Sequence, residues 1–260
     1  MLKVRVIPTL LWKNFGLVKG ISFNSWRRVG PVLPAIKVYN VRDVDELILV
    51  DITASCDDSE PDYESIHDFS EECFVPFTVG GGIMHLNQIQ KLLRVGADKI
   101  CINTAAYTNP SLLEQAASRF GVQCIVASID AQRMDNGSYE CFSHSGTVPT
   151  GQDPGNWAKT LEARGAGEIL ITSIDRDGTM TGYDLELIDQ VVRSVNIPVI
   201  ASGGAGTYEH MRQAIQEGGA SAVAAASMFH FTEQTPAGAK AFLYQFGIPV
   251  RSNYSPVQMA

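Results

Sequence analysis

Eight short runs of aliphatic and β-branched residues alternate with helical patterns along the whole chain, and this alternation constrains the fold more than any other feature. The runs are Val4–Pro8, Leu47–Asp51, Pro76–Val79, Lys99–Asn103, Cys124–Asp130, Glu168–Ser173, Pro198–Ser202 and Ala222–Ala226. They read as nearly continuous hydrophobic stretches, the pattern of parallel strands buried on both faces. Helical patterns lie between them at Tyr63–Cys73, Leu86–Val95, Pro110–Phe120, Trp157–Arg164, Leu185–Val195 and Tyr208–Glu217. Asn109-Pro110 supplies an N-cap with proline at the first helical position. Gly96, Gly121, Gly165 and Gly218 follow helices where a left-handed residue closes the last turn. Eight such units in 260 residues predict a (β/α)8 TIM barrel, with a doubly wound sheet as the alternative.

An internal repeat divides the units into two halves. Val79-Gly80-Gly81-Gly82 resembles Ala201-Ser202-Gly203-Gly204, with Gly80 and Ser202 lying 122 positions apart. Leu49-Val50-Asp51-Ile52 parallels Ile171-Thr172-Ser173-Ile174 at the same offset, and Ala97-Asp98-Lys99-Ile100 parallels Ala220-Ser221-Ala222-Val223. Two similar half-barrels of four units each follow from this. No linker or low-complexity segment interrupts them, so residues 1–260 are expected to form one domain.

Lys+Arg number 20 against 28 Asp+Glu, a net charge of −8. That balance speaks against a general nucleic-acid binder. Phosphate can still be bound by backbone N–H groups. The longest apolar runs, such as Leu47–Val50 and Ala222–Ala226, are far short of the roughly 20 residues of a membrane span. Met1–Ile7 is strand-like and has no signal-peptide layout. Cys56, Cys73, Cys101, Cys124 and Cys141 are odd in number and scattered, which suits a reducing cytoplasm and neither disulfides nor zinc. His67, His85, His144, His210 and His230 show no ligand spacing, so neither a metal nor a cofactor is expected.

In a barrel, residues just after each strand build the site. The third strand ends in Gly80-Gly81-Gly82 and the fourth in Asn103-Thr104. The seventh ends in Gly203-Gly204-Ala205-Gly206 and the eighth at Ala226-Ser227. Glycines let backbone N–H groups approach an oxyanion closely. Two such clusters, related by the repeat, imply a small phosphorylated substrate with a phosphate at each end.

Asp130 closes the fifth strand, where partial burial can raise its pKa for general acid/base work. Asp177 lies in the polar loop Asp175-Arg176-Asp177-Gly178-Thr179 after the sixth strand. Lys19, in the first loop, could meet an anion.

These residues resemble the cyclase subunit of imidazole glycerol phosphate synthase over nearly the whole chain. The matching motifs are Val50-Asp51-Ile52-Thr53-Ala54-Ser55, Pro76-Phe77-Thr78-Val79-Gly80-Gly81-Gly82-Ile83, Ile102-Asn103-Thr104-Ala105-Ala106, Ser173-Ile174-Asp175-Arg176-Asp177-Gly178-Thr179 and Ile200-Ala201-Ser202-Gly203-Gly204-Ala205-Gly206. The resemblance implies a barrel docked to a glutaminase, whose ammonia travels through the barrel to a bisphosphorylated ribulosyl intermediate. Cyclisation and elimination then give imidazole glycerol phosphate and an aminoimidazole ribotide. It further implies one phosphate site at Gly82, Asn103 and Thr104, and another at Asp177, Gly178, Gly203, Gly204 and Ser227, with Asp130 catalytic. Arg5, Glu46, Lys99 and Glu168, all at strand N-termini, match a gate around the ammonia entrance. Asp98 matches a residue of the docking surface.

One position departs from the family. The aspartate expected at the end of the first strand is Leu11, which can neither donate nor accept a proton. Glu46, Asp51, Asp57 and Asp58 are candidate substitutes elsewhere. Arg5-Val6-Ile7-Pro8 to Leu10-Leu11, with Gly16-Leu17-Val18-Lys19, instead resembles a paralogous group of surface-polysaccharide synthesis. Those proteins work with a glutaminase and a third protein to turn a sugar's N-acetyl group into an acetamidino group. Three functions follow: this ammonia-supplying paralogue, favoured by Leu11; the histidine-pathway cyclase; and a non-catalytic tunnel and docking platform. A single-chain sugar-phosphate isomerase fits less well, because it too would want paired acids on the first and fifth strands.

Overall fold

The protein is described by a computed structural model covering residues 3–13 and 16–251; the remainder of the 1–260 span expected as one domain lies outside the described residues. Eight parallel strands close on themselves: β1 (Arg5–Lys13), β4 (Leu47–Asp51), β5 (Phe77–Gly80), β6 (Lys99–Ile102), β7 (Ile125–Arg133), β10 (Glu168–Ser173), β11 (Val199–Ser202) and β12 (Ala222–Ala225). Arg5 pairs with Ala222 and Leu11 with Val50, so β1 lies between β12 and β4 and no edge is left open. This closure removes the doubly wound alternative and makes the chain a (β/α)8 barrel.

The predicted strands recur within a few residues, except that the first and fifth run on to Lys13 and Arg133. Both continue into antiparallel hairpins. After β1 come β2 (Gly16–Ile21) and β3 (Asn24–Gly30); after β7 come β8 (Tyr139–Ser143) and β9 (Val148–Pro149). The hairpins escape a search for buried runs because β3 is polar and largely exposed and β9 is only two exposed residues long.

Helices follow the barrel strands in the expected places: α2 (Tyr63–Glu71), α3 (Leu86–Arg94), α5 (Ser111–Phe120), α6 (Pro154–Ala163), α7 (Leu185–Val192) and α8 (Tyr208–Gln216). Others were not legible. Helix α1 (Val32–Val41) carries an internal proline, and α10 (Pro236–Gln245) opens on small residues without an apolar stripe. Two single-turn helices, α4 (Thr104–Thr108) and α9 (Ser227–Phe231), complete the set among the described residues. Pro110 is itself the N-cap of α5, while Asn109 accepts from the Ser111 hydroxyl instead of capping. The left-handed residue after α8 is Gly219 (φ 76°) rather than Gly218.

The core has two shells. Ile7, Ile48, Cys101, Val126, Leu170, Ile200, Ala222 and Ala224 fill the barrel interior. A larger cluster, including Val6, Leu10, Leu47, Ile89, Leu113 and Ile169, packs the outer sheet face against the helices. No helix of the described residues is long and apolar enough to cross a membrane. All five cysteines are free thiols.

Candidate active site

A cavity of about 1150 Å³, counted out to open solvent, occupies the C-terminal mouth of the barrel. Most site residues expected from sequence line it: Lys19, Gly82, Asn103, Thr104, Asp130, Asp177, Gly178, Gly203, Gly204 and Ser227. Strand register puts Leu11 and Asp130 at equivalent places in the two half-barrels. Leu11 pairs with Val50 on the next barrel strand and Asp130 with Thr172, the repeat-mate of Val50. Each also pairs with its own hairpin, at Val18 and Phe142. One half-barrel thus presents a carboxylate to the mouth and the other an isobutyl group.

Asp130 Oδ2 accepts from Asn103 Nδ2 at 2.7 Å. Burial pushes its pKa up to about 7, and the nearby Asp177 charge adds to this while the Asn103 amide opposes it. A carboxyl titrating near neutrality can both give and take a proton at working pH. Cys101, deeper in the barrel, is pushed up to about 12 by burial and stays a neutral thiol.

Across the mouth, Lys19 Nζ sits 2.6 Å from Asp177 Oδ2, with both side chains buried. Asp177 is therefore more than the polar member of an Asp-Gly turn. Gly178 adopts φ 77°, and a Cβ there would lie 2.0 Å from the Gly20 carbonyl oxygen, so only glycine lets the first hairpin settle on this loop. Ser22 N–H donates to the Asp177 carbonyl at 2.8 Å and completes the latch.

The two glycine-lined clusters expected to hold phosphate differ. Gly82 N–H points to Ser55 Oγ at 3.4 Å, and Thr104 Oγ1 accepts from His144 N–H at 3.0 Å. Asn103 spends its amide protons on Asp130 and, at 3.3 Å, on the Phe142 carbonyl. In the second cradle the buried Ser227 hydroxyl has no protein partner. Gly204 adopts φ 104° where a Cβ would strike the Gly182 carbonyl oxygen at 2.2 Å.

The candidate substitutes for the missing acid do not stand at Leu11's place. Asp51 Oδ1 accepts from Thr53 N–H and Oγ1, both at 2.8 Å, and holds its own turn. Asp57 and Asp58 are exposed. Glu46 lies at the opposite end of the barrel, where Arg5, Glu46, Lys99 and Glu168 form a closed ring. Arg5 reaches both glutamates at 2.7 Å and Lys99 reaches both at 3.0 Å. Thr78 Oγ1 adds a 2.7 Å bond to Glu46. Asp98 nearby accepts from Phe77 N–H at 2.8 Å and fixes the start of β5.

Sequence reasoning missed the hairpin contributions. Phe23 and Trp26 line the mouth from the first hairpin, and Ser145 from the second. The turn carrying His144 and Ser145 is anchored by Ser145 Oγ on the Ile52 carbonyl at 2.6 Å. Their only signal was the length of the segments following the first and fifth strands. Among the described residues no group of three or more His, Cys, Asp or Glu side chains converges as a metal site requires.

The sequence model of the family described as "Histidine biosynthesis protein" matches residues 5–235. That span runs from the start of β1 to the residue before α10 and includes the mouth and the four-charge ring. With the closed barrel and a match of this extent, the chain belongs to the histidine biosynthesis protein family.

Proposed function

We propose that the protein is the ammonia-using barrel subunit of a two-component glutamine amidotransferase. A glutaminase docks on the N-terminal face, and ammonia passes the barrel to an acceptor at the mouth, a phosphorylated or nucleotide-linked sugar. The observation that carries this reading is the ring of Arg5, Glu46, Lys99 and Glu168 at the end opposite the mouth. Strand N-termini of a barrel serve stability as a rule, and four charges there are costly to desolvate. Alternating signs compensate that cost. Above the ring the interior is apolar, with Ile7, Ile48, Val126, Ile200 and Ala222. Such a lining admits neutral ammonia far better than ammonium.

At the mouth, the ammonia nitrogen adds to a C=O carbon and the π electrons move onto oxygen. Asp130 gives that oxygen a proton and takes one from the new C–N ammonium. A second such N-to-O transfer lets the oxygen leave as water with a C=N bond formed. Leu11 leaves the facing wall without an acid, which favours the acetamidino-sugar form over the histidine-pathway cyclase. The two glycine-lined cradles, Gly82/Thr104 and Gly204/Ser227, support the histidine-pathway form as the second reading.

The test compares nitrogen sources in the reconstituted complex. Lys99→Ala and Glu168→Ala are expected to change glutamine-dependent turnover severalfold more than ammonium-dependent turnover. Equal effects on both would reduce the ring to a structural feature and remove the channel.

A further inference from the structure

The donors of the two cradles are unequally committed. At Asn103 both amide protons are taken, by Asp130 and the Phe142 carbonyl, leaving the buried Oδ1 without a partner. That atom is an acceptor, and it repels a phosphate oxygen. Thr104 Oγ1 receives the His144 N–H and keeps its own proton to donate. At the other cradle the Ser227 hydroxyl is only 5% exposed, lines the cavity and has no partner. A buried donor left open this way needs a ligand or water to satisfy it. At the first cradle the Asn103 amide is thus spent on the protein, whereas at the second the Ser227 hydroxyl is uncommitted.

The wall contributed by the first hairpin is aromatic, with two arginines on the same strand beside it. Phe23 and Trp26 of the β2–β3 hairpin line the cavity, whereas Trp12 and Trp157 are in the core. Trp26 lies against Gly20, where a Cβ would come 2.7 Å from the indole. Arg27 stacks its guanidinium 3.7 Å above the Phe231 ring, on the short helix that Ser227 begins. Among the described residues Arg27 and Arg28 are exposed and form no ion pair. The first 42 residues contain eight Lys and Arg and no Asp or Glu, while the rest carry 12 against 28. Of these eight, Lys19, Arg27 and Arg28 stand on the β2–β3 hairpin beside the mouth, whereas Arg5 lies in the ring at the opposite end and Lys37 pairs with Glu72.

We infer that the mouth binds a nucleoside diphosphate group, as in a nucleotide-linked sugar, with its phosphates at Ser227 and Gly204 and its base stacked on Trp26. The attached sugar then extends toward Asp130. This deepens the reading above, since it rests on the mouth being the acceptor site, and it chooses a nucleotide-linked acceptor over a sugar bisphosphate. Base stacking on an aromatic ring is worth roughly tenfold or more in affinity.

The test titrates the intact chain with UDP, ADP, inorganic phosphate and ribulose 1,5-bisphosphate, following tryptophan fluorescence and heat. The nucleotides are expected to bind at least about tenfold tighter than phosphate or the bisphosphate. Trp26→Ala should lower nucleotide affinity about tenfold and leave phosphate unchanged, and Trp26→Phe should restore most of it. Ser227→Ala should weaken both. Saturation-transfer NMR on the unaltered protein should place the base protons nearer the surface than the ribose protons. Bisphosphate binding as tight as nucleotide binding, or indifference to Trp26→Ala, overturns the assignment. No glutaminase or turnover enters these measurements. Their failure therefore leaves the ammonia reading standing, and equal effects of the ring variants on both nitrogen sources would leave the nucleotide site standing.

Discussion

Lys19 Nζ lies 2.6 Å from Asp177 Oδ2, an ion pair that joins the hairpin after β1 to the loop after β10 across the mouth of the barrel. Both residues are withdrawn from solvent, at 4% and 8% exposure. Neither charge is tolerable there alone, so the pair ties two loops far apart in sequence.

Asp177→Asn leaves the buried Lys19 charge without its partner. A loss of about 3 kcal/mol is expected, read as a lower urea midpoint with an unchanged slope. The same variant removes the charge that helps to hold Asp130 protonated. Carbon-13 titration of the Asp130 carboxyl should therefore show it becoming more acidic.

Stability should respond to pH through two groups of opposite sign. Asp130 is pushed up from 3.8 to about 7, so between those values the folded state holds a proton that the unfolded chain releases. Its contribution falls as pH rises through that window, by up to about 1.4 kcal/mol per pH unit. His230 is pushed down from 6.5 to about 4, chiefly by burial and then by Lys19, so the unfolded chain takes a proton that the folded state refuses. Its contribution falls as pH drops from 6.5 toward 4. Between these limits the slopes oppose. Asp130→Asn should steepen the acid-side loss in urea midpoints between pH 4.5 and 6.5, and His230→Gln should flatten it.

Leu11→Asp places a carboxylate opposite Asp130 at the equivalent register position. With ammonium and the bisphosphorylated ribulosyl intermediate, the acetamidino-sugar reading expects no gain in imidazole glycerol phosphate formation, although substrate analogues still bind. The histidine-pathway form requires the opposite, a rise of tenfold or more, since a positioned acid or base is worth about 10²–10⁴ in rate. Product analysis by mass spectrometry distinguishes them.

Gly204→Ala should be far worse than Gly137→Ala, although both sites have positive φ. At Gly137, φ 84°, nothing lies within 4 Å of an added Cβ, and only conformational strain of about 1–2 kcal/mol is expected. At Gly204 the methyl meets the Gly182 carbonyl oxygen and Arg176 Cβ as well. A larger stability loss and at least a tenfold weakening of phosphate binding should follow. Thermal denaturation and phosphate titration measure both.

The eight barrel strands could be found from sequence because burial on both faces demands uninterrupted apolar runs, a constraint that acts locally. The repeat then assigned strands to halves, and the glycine clusters marked where backbone must approach closely. That Leu11 stands where the resembled cyclases carry an aspartate was legible from the resemblance, and the barrel register sets it equivalent to Asp130. Segments whose stability comes from elsewhere were not legible. Strand β3 is polar and largely exposed, and the hairpin is held by Ser22 and Lys19 reaching residues more than 150 positions away. Asn103 was expected to face phosphate, but its amide protons go to Asp130 and Phe142. The ring of Arg5, Glu46, Lys99 and Glu168 closes only because four strand starts converge at one end of the barrel. Sequence determined which residues stand at strand ends; which charges pair and which donors stay free depended on distances between segments, and only barrel closure sets those.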